Sequence, residues 1–248
     1  MSYELTDEEW AKLEELLPKK KMGRPCLDLR RTLSGIKWIL KTGSSWRALP
    51  PAFGKWNSIY RYFCRLQQKG VFEKIFVELT KDHIPEEISL DSTFVKVHRH
   101  GLGAKKGLAR HIGKSKGGNN TKIHAAVDKH CRPIKLLLSA GNVNDIKVAP
   151  LLLNGLSLDS VTVMADKAYC SRKFLSLIER KGGRACIPCK KTYKIPWETD
   201  REQYKRRNVV ERFFQRLKEN RRLAMRYDKR AERFFSFVLF ASILLWLK

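Results

Sequence analysis

The sequence has few acidic residues for its size. Its 248 residues include 25 Asp and Glu but 51 Lys and Arg, which gives a net charge of +26 at pH 7. A compact chain with this charge repels itself, so a polyanionic partner such as nucleic acid is the natural explanation. A generally solvated basic surface is the alternative, because net charge alone is a non-specific signal.

The shortage of acids is local as well as global. No acidic residue lies between Thr93 and Val127. The basic residues of this segment are Lys96, Arg99, Lys105, Lys106, Arg110, Lys114, Lys116 and Lys122, and a second basic stretch comprises Lys205, Arg206, Arg207, Arg212, Arg216, Lys218, Arg221 and Arg222. We expect the two stretches to form a phosphate-binding surface, with Lys114, Lys116 and Lys122 as DNA contacts.

Three further features are missing. The start, MSYELTDEEW, has no signal-peptide pattern, and the six cysteines are scattered, so we expect a cytoplasmic protein without a disulfide framework. Cys186 and Cys189 form a C-x-x-C pair with no second pair nearby, which argues against zinc. The apolar run Phe234–Leu247 is shorter than the roughly 18–20 residues that span a bilayer, so it predicts a buried core helix and no membrane association.

The first third of the chain has the pattern of short helices. Thr6, Asp28 and Asn57 are each placed to cap a helix, and Gly70 precedes a fourth helical segment. Apolar residues recur at helical spacing after each of these positions. The sequence therefore predicts a small all-helical domain over residues 1–80.

This helical domain carries arginines on its third helix. Short helices joined by turns, with Arg61 and Arg65 on the third of them, fit a helix-turn-helix unit that contacts DNA. An ordinary helical bundle shows the same pattern, and the basic context favours the DNA-binding interpretation.

The pattern changes to alternating strands near Pro85. Strands are predicted at Ile88–Val97, Lys122–Val127, Pro133–Leu138, Val161–Ala165 and Ala185–Pro188. The segment Asp128–Arg132 suits a hairpin turn between the second and third strands, and helices are predicted between the later strands and at about residues 200–222 and 230–247. This order predicts an α/β domain over residues 86–248, in which a mixed sheet is flanked by helices.

Two aspartates lie in or at the end of predicted buried strands. Asp91 is inside the first strand, and Asp166 ends the fourth. A buried carboxylate without a partner is costly, so each needs a metal ion, an ion pair or a helix-capping role. The sequence around either residue alone leaves these possibilities open.

A third acid stands on a basic helix. If residues 204–218 form one helix, Tyr204, Arg207, Glu211 and Lys218 share a face about 60° wide. A single carboxylate on such a face suggests a role beyond solubility, although an ion-pair helix is the alternative.

The chain resembles the DDE transposases of bacterial insertion sequences, of the insertion-sequence-five family. The resemblance rests on Tyr204-x2-Arg207-x3-Glu211-x6-Lys218, which follows Asp91-Ser92-Thr93 and Ala165-Asp166-Lys167-Ala168-Tyr169 in order. Further matching segments are Trp46–Pro50, Phe53–Trp56, Ile112–Gly118, Thr121–His124 and Arg226–Lys229.

The resemblance implies an RNase H-like fold with a metal-binding triad. Asp91, Asp166 and Glu211 would hold two Mg²⁺ ions, for which Mn²⁺ would substitute, because these hard cations prefer oxygen ligands. Tyr204, Arg207 and Lys218 would hold the DNA backbone near the bond that is cut.

The function implied is that of a transposase, which binds the ends of an insertion sequence and cuts and joins DNA strands. The expected partner is double-stranded DNA, both element ends and target, bound by a homodimer or a higher oligomer at the bacterial nucleoid. Two alternatives remain at this point. One is an RNase H-like nuclease or resolvase that cuts without joining, and the other is a catalytically silent DNA-binding protein derived from a mobile element.

Overall fold

The computed structural model of the chain describes residues 3–18, 28–103, 111–190, 193 and 197–248. The chain divides into two compact units. The helical unit comprises Met1–Asp82, His98–Ala109 and Leu217–Lys248, and the sheet unit comprises His83–Val97 and Arg110–Arg216.

The α-helices of the described residues are α1 (Asp7–Leu16), α2 (Leu29–Thr42), α3 (Trp56–Gln68), α4 (Val71–Thr80), α5 (Asp145–Leu152), α6 (Arg172–Arg180), α7 (Arg201–Lys205), α8 (Asn208–Lys218), α9 (Arg221–Ala224) and α10 (Ala231–Trp246). The strands are β1 (Glu87–Val97), β2 (Gly113–Ser115), β3 (Gly118–Asp128), β4 (Pro133–Ala140), β5 (Thr162–Ala165), β6 (Arg184–Cys186) and the two-residue β7 (Met225–Arg226). The α/β class predicted from the sequence is confirmed.

Local signals set the helix boundaries of the helical unit. The capping box predicted at Thr6 is present, because its hydroxyl accepts from the backbone N–H of Glu9 at 3.1 Å and the Glu9 carboxylate accepts from the N–H of Thr6 at 3.2 Å. Asp28 caps α2 as predicted. The predicted cap at Asn57 is wrong: the cap is Lys55, two residues earlier, whose carbonyl already accepts from the N–H of Ile59.

Aromatic rings form the centre of the helical unit. Phe63 of α3 stacks on Phe237 of α10 with 4.5 Å between ring centroids. Trp46 contacts both rings, and Phe72 contacts Phe63 and, on its other side, Phe240 of α10. The apolar run near the C-terminus is thus a buried core helix, as predicted. None of the helices in the described part of the chain is long and apolar enough to cross a membrane.

The compact units differ from the predicted domains 1–80 and 86–248. Helix α10 packs against α3 and α4, so the residues from Leu217 onward join the helices at the start of the chain. The apolar residues of α10 cover most of its circumference, and the helix therefore needs neighbours on several sides.

A mixed sheet forms the centre of the sheet unit. Strand β3 pairs antiparallel with β1 on one side and with β4 and the short β2 on the other, whereas β1 and β5, and then β5 and β6, run parallel. This order is the RNase H-like arrangement that the resemblance implied. The short strand β2 was not predicted, since its three residues lie in a segment rich in Gly and Lys.

The turn between β3 and β4 is built on one buried carboxylate. Asp128 accepts from the backbone N–H groups of His130 and Arg132 at 2.9 and 2.8 Å, and from Nε of Arg132 at 2.8 Å. These bonds fix the hairpin turn that the sequence Asp128–Arg132 predicted.

The basic helix predicted at about residues 200–222 is broken into three. Between α7 and α8 the N–H groups of Val209 and Val210 bond to the carbonyls of Arg206 and Arg207, three residues back rather than four. This tighter turn separates Tyr204, on α7, from the residues of α8.

We predict that Phe63→Ala lowers the free energy of unfolding by about 3–5 kcal/mol, because it removes a buried ring from the aromatic centre and leaves a cavity. Val77→Ala, at an exposed position on α4, is the matched control and is expected to change it by less than about 0.5 kcal/mol. Urea unfolding of both variants tests this, and equal stabilities would contradict it.

Candidate active site

Parallel pairing of β1 and β5 brings two predicted acids together. Leu90 of β1 is in register with Ala165 of β5, and Asp91 and Asp166 are the next residues along each chain. Neighbouring strands are about 4.8 Å apart, so the two carboxylates lie at adjacent positions of the sheet. The negative charge of Asp166 is among the causes that raise the pKa of Asp91.

Asp91 is largely buried and already has two donors. Its Oδ1 accepts from the N–H of Ser92 at 2.7 Å, and its Oδ2 accepts from Nη1 of Arg207 at 3.0 Å. Burial nevertheless raises the pKa of Asp91, because removal from water disfavours the charged form more than these donors favour it. A second cation near this carboxylate would therefore be stabilising.

Asp166 caps the short turn that follows β5. Its Oδ1 accepts from the N–H of Ala168 at 2.8 Å. The capping role considered from the sequence is thus present, and it engages one of the two carboxylate oxygens. Capping leaves the carboxylate at the end of the strand, beside Asp91.

Arg207 links Asp91 to the third predicted acid. Its Nη2 lies 2.6 Å from Oε1 of Glu211, one helical turn further along, while its Nη1 bonds to Asp91. The side chain of Arg207 is 15% exposed, and its guanidinium lies 5.9 Å from the centre of the Tyr204 ring. The ion pair considered as an alternative for Glu211 is therefore present.

The prediction that Tyr204, Arg207, Glu211 and Lys218 share one helical face is corrected by the structure. The prediction required one continuous helix, whereas Tyr204 is on α7, Arg207 is in the tight turn and Glu211 and Lys218 are on α8. Contacts of Arg207 with Tyr204 and Glu211 still bring these three side chains together. Lys218 ends α8, and burial lowers the pKa of its ammonium.

The structure contradicts a DNA-contacting role for Lys122. The residue is 6% exposed, and its ammonium lies 2.7 Å from Oδ1 of Asp145 and 2.8 Å from the carbonyl of Val143. It also faces the ring of Phe94, at 4.7 Å from the centroid. The ammonium of Lys122 therefore forms a structural ion pair with Asp145, and Lys122 is removed from the predicted DNA contacts.

Four other predicted DNA contacts are exposed. Lys114 lies on β2, Lys116 on the turn that follows it, and Arg61 and Arg65 on α3. The side chains of these four residues face solvent, as a phosphate contact requires. Lys105, Lys106 and Arg110, which belong to the same basic stretch, lie outside the described residues.

One buried residue near the acids, Tyr169, was part of a matching segment but was given no role from the sequence. Burial raises the pKa of the Tyr169 hydroxyl, and the charges of Asp145, Asp91 and Asp166 raise it further. The hydroxyl therefore stays neutral near these carboxylates. The signal available in the sequence was its position three residues after Asp166.

The donor set fits hard divalent cations. Asp91, Asp166 and Glu211 offer carboxylate oxygens, which are the ligands that Mg²⁺ and Mn²⁺ prefer. Two of the three are adjacent on parallel strands, and Arg207 links the third to them. Within the described ranges, no three His, Cys, Asp or Glu side chains are close enough to hold a metal ion together.

The chain matches two family models. The model of the transposase DDE domain matches residues 82–246, and a model of candidate transposases of the IS4/5 family matches residues 5–76. The first match alone covers more than half of the chain. The chain therefore belongs to the family of DDE transposases.

Individual relatives match parts of the chain. The uncharacterized protein y4sN of Sinorhizobium fredii is 28% identical over 104 residues, which are 41% of this chain and 83% of that protein. A candidate transposase for insertion sequence element IS6501 of Brucella ovis is 33% identical over 129 residues, which are 52% of this chain and 98% of that protein. Among solved structures, a piggyBac transposase synaptic complex with hairpin DNA aligns with a TM-score of 0.44 at 11% identity, over 76% of this chain and 48% of that chain.

We predict that the exposed and buried lysines respond differently to substitution. Lys114→Ala and Lys116→Ala should each reduce the slope of log DNA affinity against log salt by about one, because one phosphate contact is lost. Lys122→Met should leave this slope unchanged but lower the free energy of unfolding by about 3 kcal/mol, because it leaves Asp145 unpaired. Salt titrations of DNA binding and urea unfolding measure the two effects. A reduced slope for Lys122→Met with unchanged stability would return this lysine to the DNA surface.

Proposed function

We propose that this transposase cuts and joins DNA at the ends of an insertion sequence, using divalent metal ions held by Asp91, Asp166 and Glu211. The observation that carries the proposal is the adjacency of Asp91, in β1, and Asp166, directly after β5, with Arg207 linking Asp91 to Glu211. Membership of the DDE transposase family supports the same assignment.

The three carboxylates would hold two Mg²⁺ ions, or Mn²⁺ ions in their place. Such ions supply charge that activates a water or a 3′-hydroxyl for attack and stabilises the departing oxygen. The protein's part is to hold the carboxylates in place and to keep the DNA backbone aligned. A protein nucleophile is not needed, so one site can serve both cleavage and joining.

Duplex DNA is the proposed substrate, as element end and as target. The exposed Lys114 and Lys116 would contact phosphates beside the sheet unit, and Arg61 and Arg65 of α3 would contribute to recognition by the helical unit. Phosphate contacts set affinity and position, whereas sequence preference needs contacts with base edges. A dimer or higher oligomer would allow two element ends to be held at once.

We predict that Asp91→Asn, Asp166→Asn and Glu211→Gln each abolish cleavage of a labelled element end, while DNA affinity changes by less than about threefold. The reason is that each change removes a metal-binding charge but leaves the basic residues in place. Glu202→Gln, at an exposed glutamate of α7 paired with Lys205, is the matched control and should keep full cleavage. Excess chelator should stop cleavage by the unmodified protein, and Mn²⁺ should restore it.

The same labelled end separates the proposed activity from its alternatives. Joined product requires a transposase, cleavage without joining indicates a nuclease or resolvase, and binding without either indicates a silent DNA-binding protein. Full cleavage by any of the three acid variants would remove that residue from the proposed triad.

Lys218 should act as a phosphate contact near the reacting strand. Lys218→Ala is expected to slow joining and to reduce the salt slope of DNA binding by about one. Lys81→Ala provides a comparison, because this exposed ammonium already pairs with Glu78 at 2.7 Å. Unchanged joining and an unchanged slope for Lys218→Ala would show that this lysine only solvates the end of α8.

A further inference from the structure

Arg207 lies where two of the proposed metal ligands meet. Its two terminal nitrogens contact different acids, Nη1 at 3.0 Å from Oδ2 of Asp91 and Nη2 at 2.6 Å from Oε1 of Glu211. The guanidinium therefore spans two carboxylates that come from separate elements, strand β1 and helix α8. A planar fork of this kind is suited to carboxylate and phosphate oxygens alike.

These contacts compete with metal binding. The oxygens that accept from Arg207 are carboxylate oxygens that a divalent cation at the triad would use. A guanidinium and a metal ion also repel each other, since both are positively charged. Binding of the ion at Asp91 and Glu211 therefore requires Arg207 to give up at least part of its contact with them.

The released guanidinium has a different anion available. Arginine keeps its charge at all working pH values and cannot remain buried without a partner at low cost. A DNA phosphate at the proposed active site offers such a partner. The Tyr204 ring, 5.9 Å from the guanidinium carbon, provides a face on which the cation can rest in either position.

We propose that Arg207 exchanges partners, holding Asp91 and Glu211 while no metal ion is bound and moving to a DNA phosphate when metal enters, so that metal binding and DNA binding favour each other. This inference rests on the proposed function, because it takes Asp91 and Glu211 as metal ligands and DNA as substrate. By thermodynamic linkage, whatever factor DNA contributes to metal affinity, metal contributes to DNA affinity.

The first consequence concerns the free protein. Without DNA, Arg207 opposes metal binding, so its removal should strengthen that binding. Arg207→Gln is expected to bind Mn²⁺ roughly three- to tenfold more tightly than the unmodified protein, which corresponds to the loss of a partly buried ion pair. Free Mn²⁺ can be measured by electron paramagnetic resonance on the full-length chain.

The neighbouring arginine is the matched control. Arg206 carries the same charge, lies in the same turn and pairs with Glu87 at 2.7 Å, outside the triad. Arg206→Gln makes the same change in net charge and should leave Mn²⁺ affinity within about twofold of the unmodified protein. Equal tightening in both variants would mean that net charge alone is responsible, and it would overturn the proposal.

The second consequence concerns DNA. A duplex element end should raise the Mn²⁺ affinity of the unmodified protein by a larger factor than that of Arg207→Gln, because the variant has no residue to transfer to phosphate. Arg206→Gln should behave like the unmodified protein. Equal enhancement by DNA in all three proteins would overturn the exchange of partners.

A measurement on the unmodified protein guards against a folding defect in the variant. In ¹⁵N-labelled protein, the side-chain Nε–H signal of Arg207 should shift when Mg²⁺ is added, and an unmoved signal at saturating Mg²⁺ would overturn the proposal. Circular dichroism melting establishes that Arg207→Gln is folded.

Failure of the proposed function would have a different signature. If Asp91→Asn leaves Mn²⁺ affinity unchanged, the triad does not hold the metal and the function proposed above fails. If Asp91→Asn weakens Mn²⁺ binding but Arg207→Gln does not strengthen it, the triad stands and the partner exchange fails.

Discussion

Parallel pairing of β1 with β5 is the constraint on which the proposed site depends. The register of Leu90 with Ala165 places Asp91 and Asp166, the next residue of each chain, side by side, so two like charges lie close together. Side-chain rotation gives limited relief, because Asp91 is held by Ser92 and Asp166 caps the next turn. A cation near the pair is therefore stabilising, and Arg207 supplies one on the Asp91 side.

Several of the few acidic residues lie in ion pairs inside the protein. Glu9 pairs with Lys37, Asp145 with Lys122 and Asp228 with Arg222, each at 2.7–2.8 Å and each pair largely shielded from solvent. Pairs of this kind organise the interior because breaking one leaves a buried charge. Each pair removes one acid and one base from the surface, so the remaining surface keeps the net charge of +26 with fewer acids among its cations. This partition suits a protein that binds a polyanion.

Sequence reasoning predicted the features that depend on local pattern. The caps at Thr6 and Asp28, the hairpin turn at Asp128 and the order of the strands each follow from a few neighbouring residues. The resemblance supplied the pairing of Asp91 with Asp166 across the sheet, which local pattern could not show. The features missed depend on distant contacts or on weak local signals. Helices α10 and α3 pack together although most of the sequence lies between them. The break before α8 contains no proline or glycine that would have predicted it.

Side-chain roles were harder to predict than backbone structure. Lys122 belongs to an acid-free basic segment, and its sequence context gave no sign that Asp145 would reach it from α5. Arg207 was expected to face phosphate, yet it contacts two carboxylates. In both cases the missing information was the position of an acid that is remote in sequence. Charge pattern alone predicts a basic surface but does not say which cations belong to it.

The contribution of α10 to the helical unit bears on how the chain is made. Residues 231–246 are synthesised about 170 residues after α3, the helix they cover. Translation proceeds at roughly 5–20 residues per second, so the rings of Phe63 and Phe72 are made roughly 10–35 seconds before Phe237 and Phe240. During that interval the sheet unit, whose segments are all made earlier, can complete its fold. The order of synthesis therefore makes the helical unit the last to complete its core. A nascent chain that ends before α10 exposes these aromatic rings, which chaperones or proteases can bind.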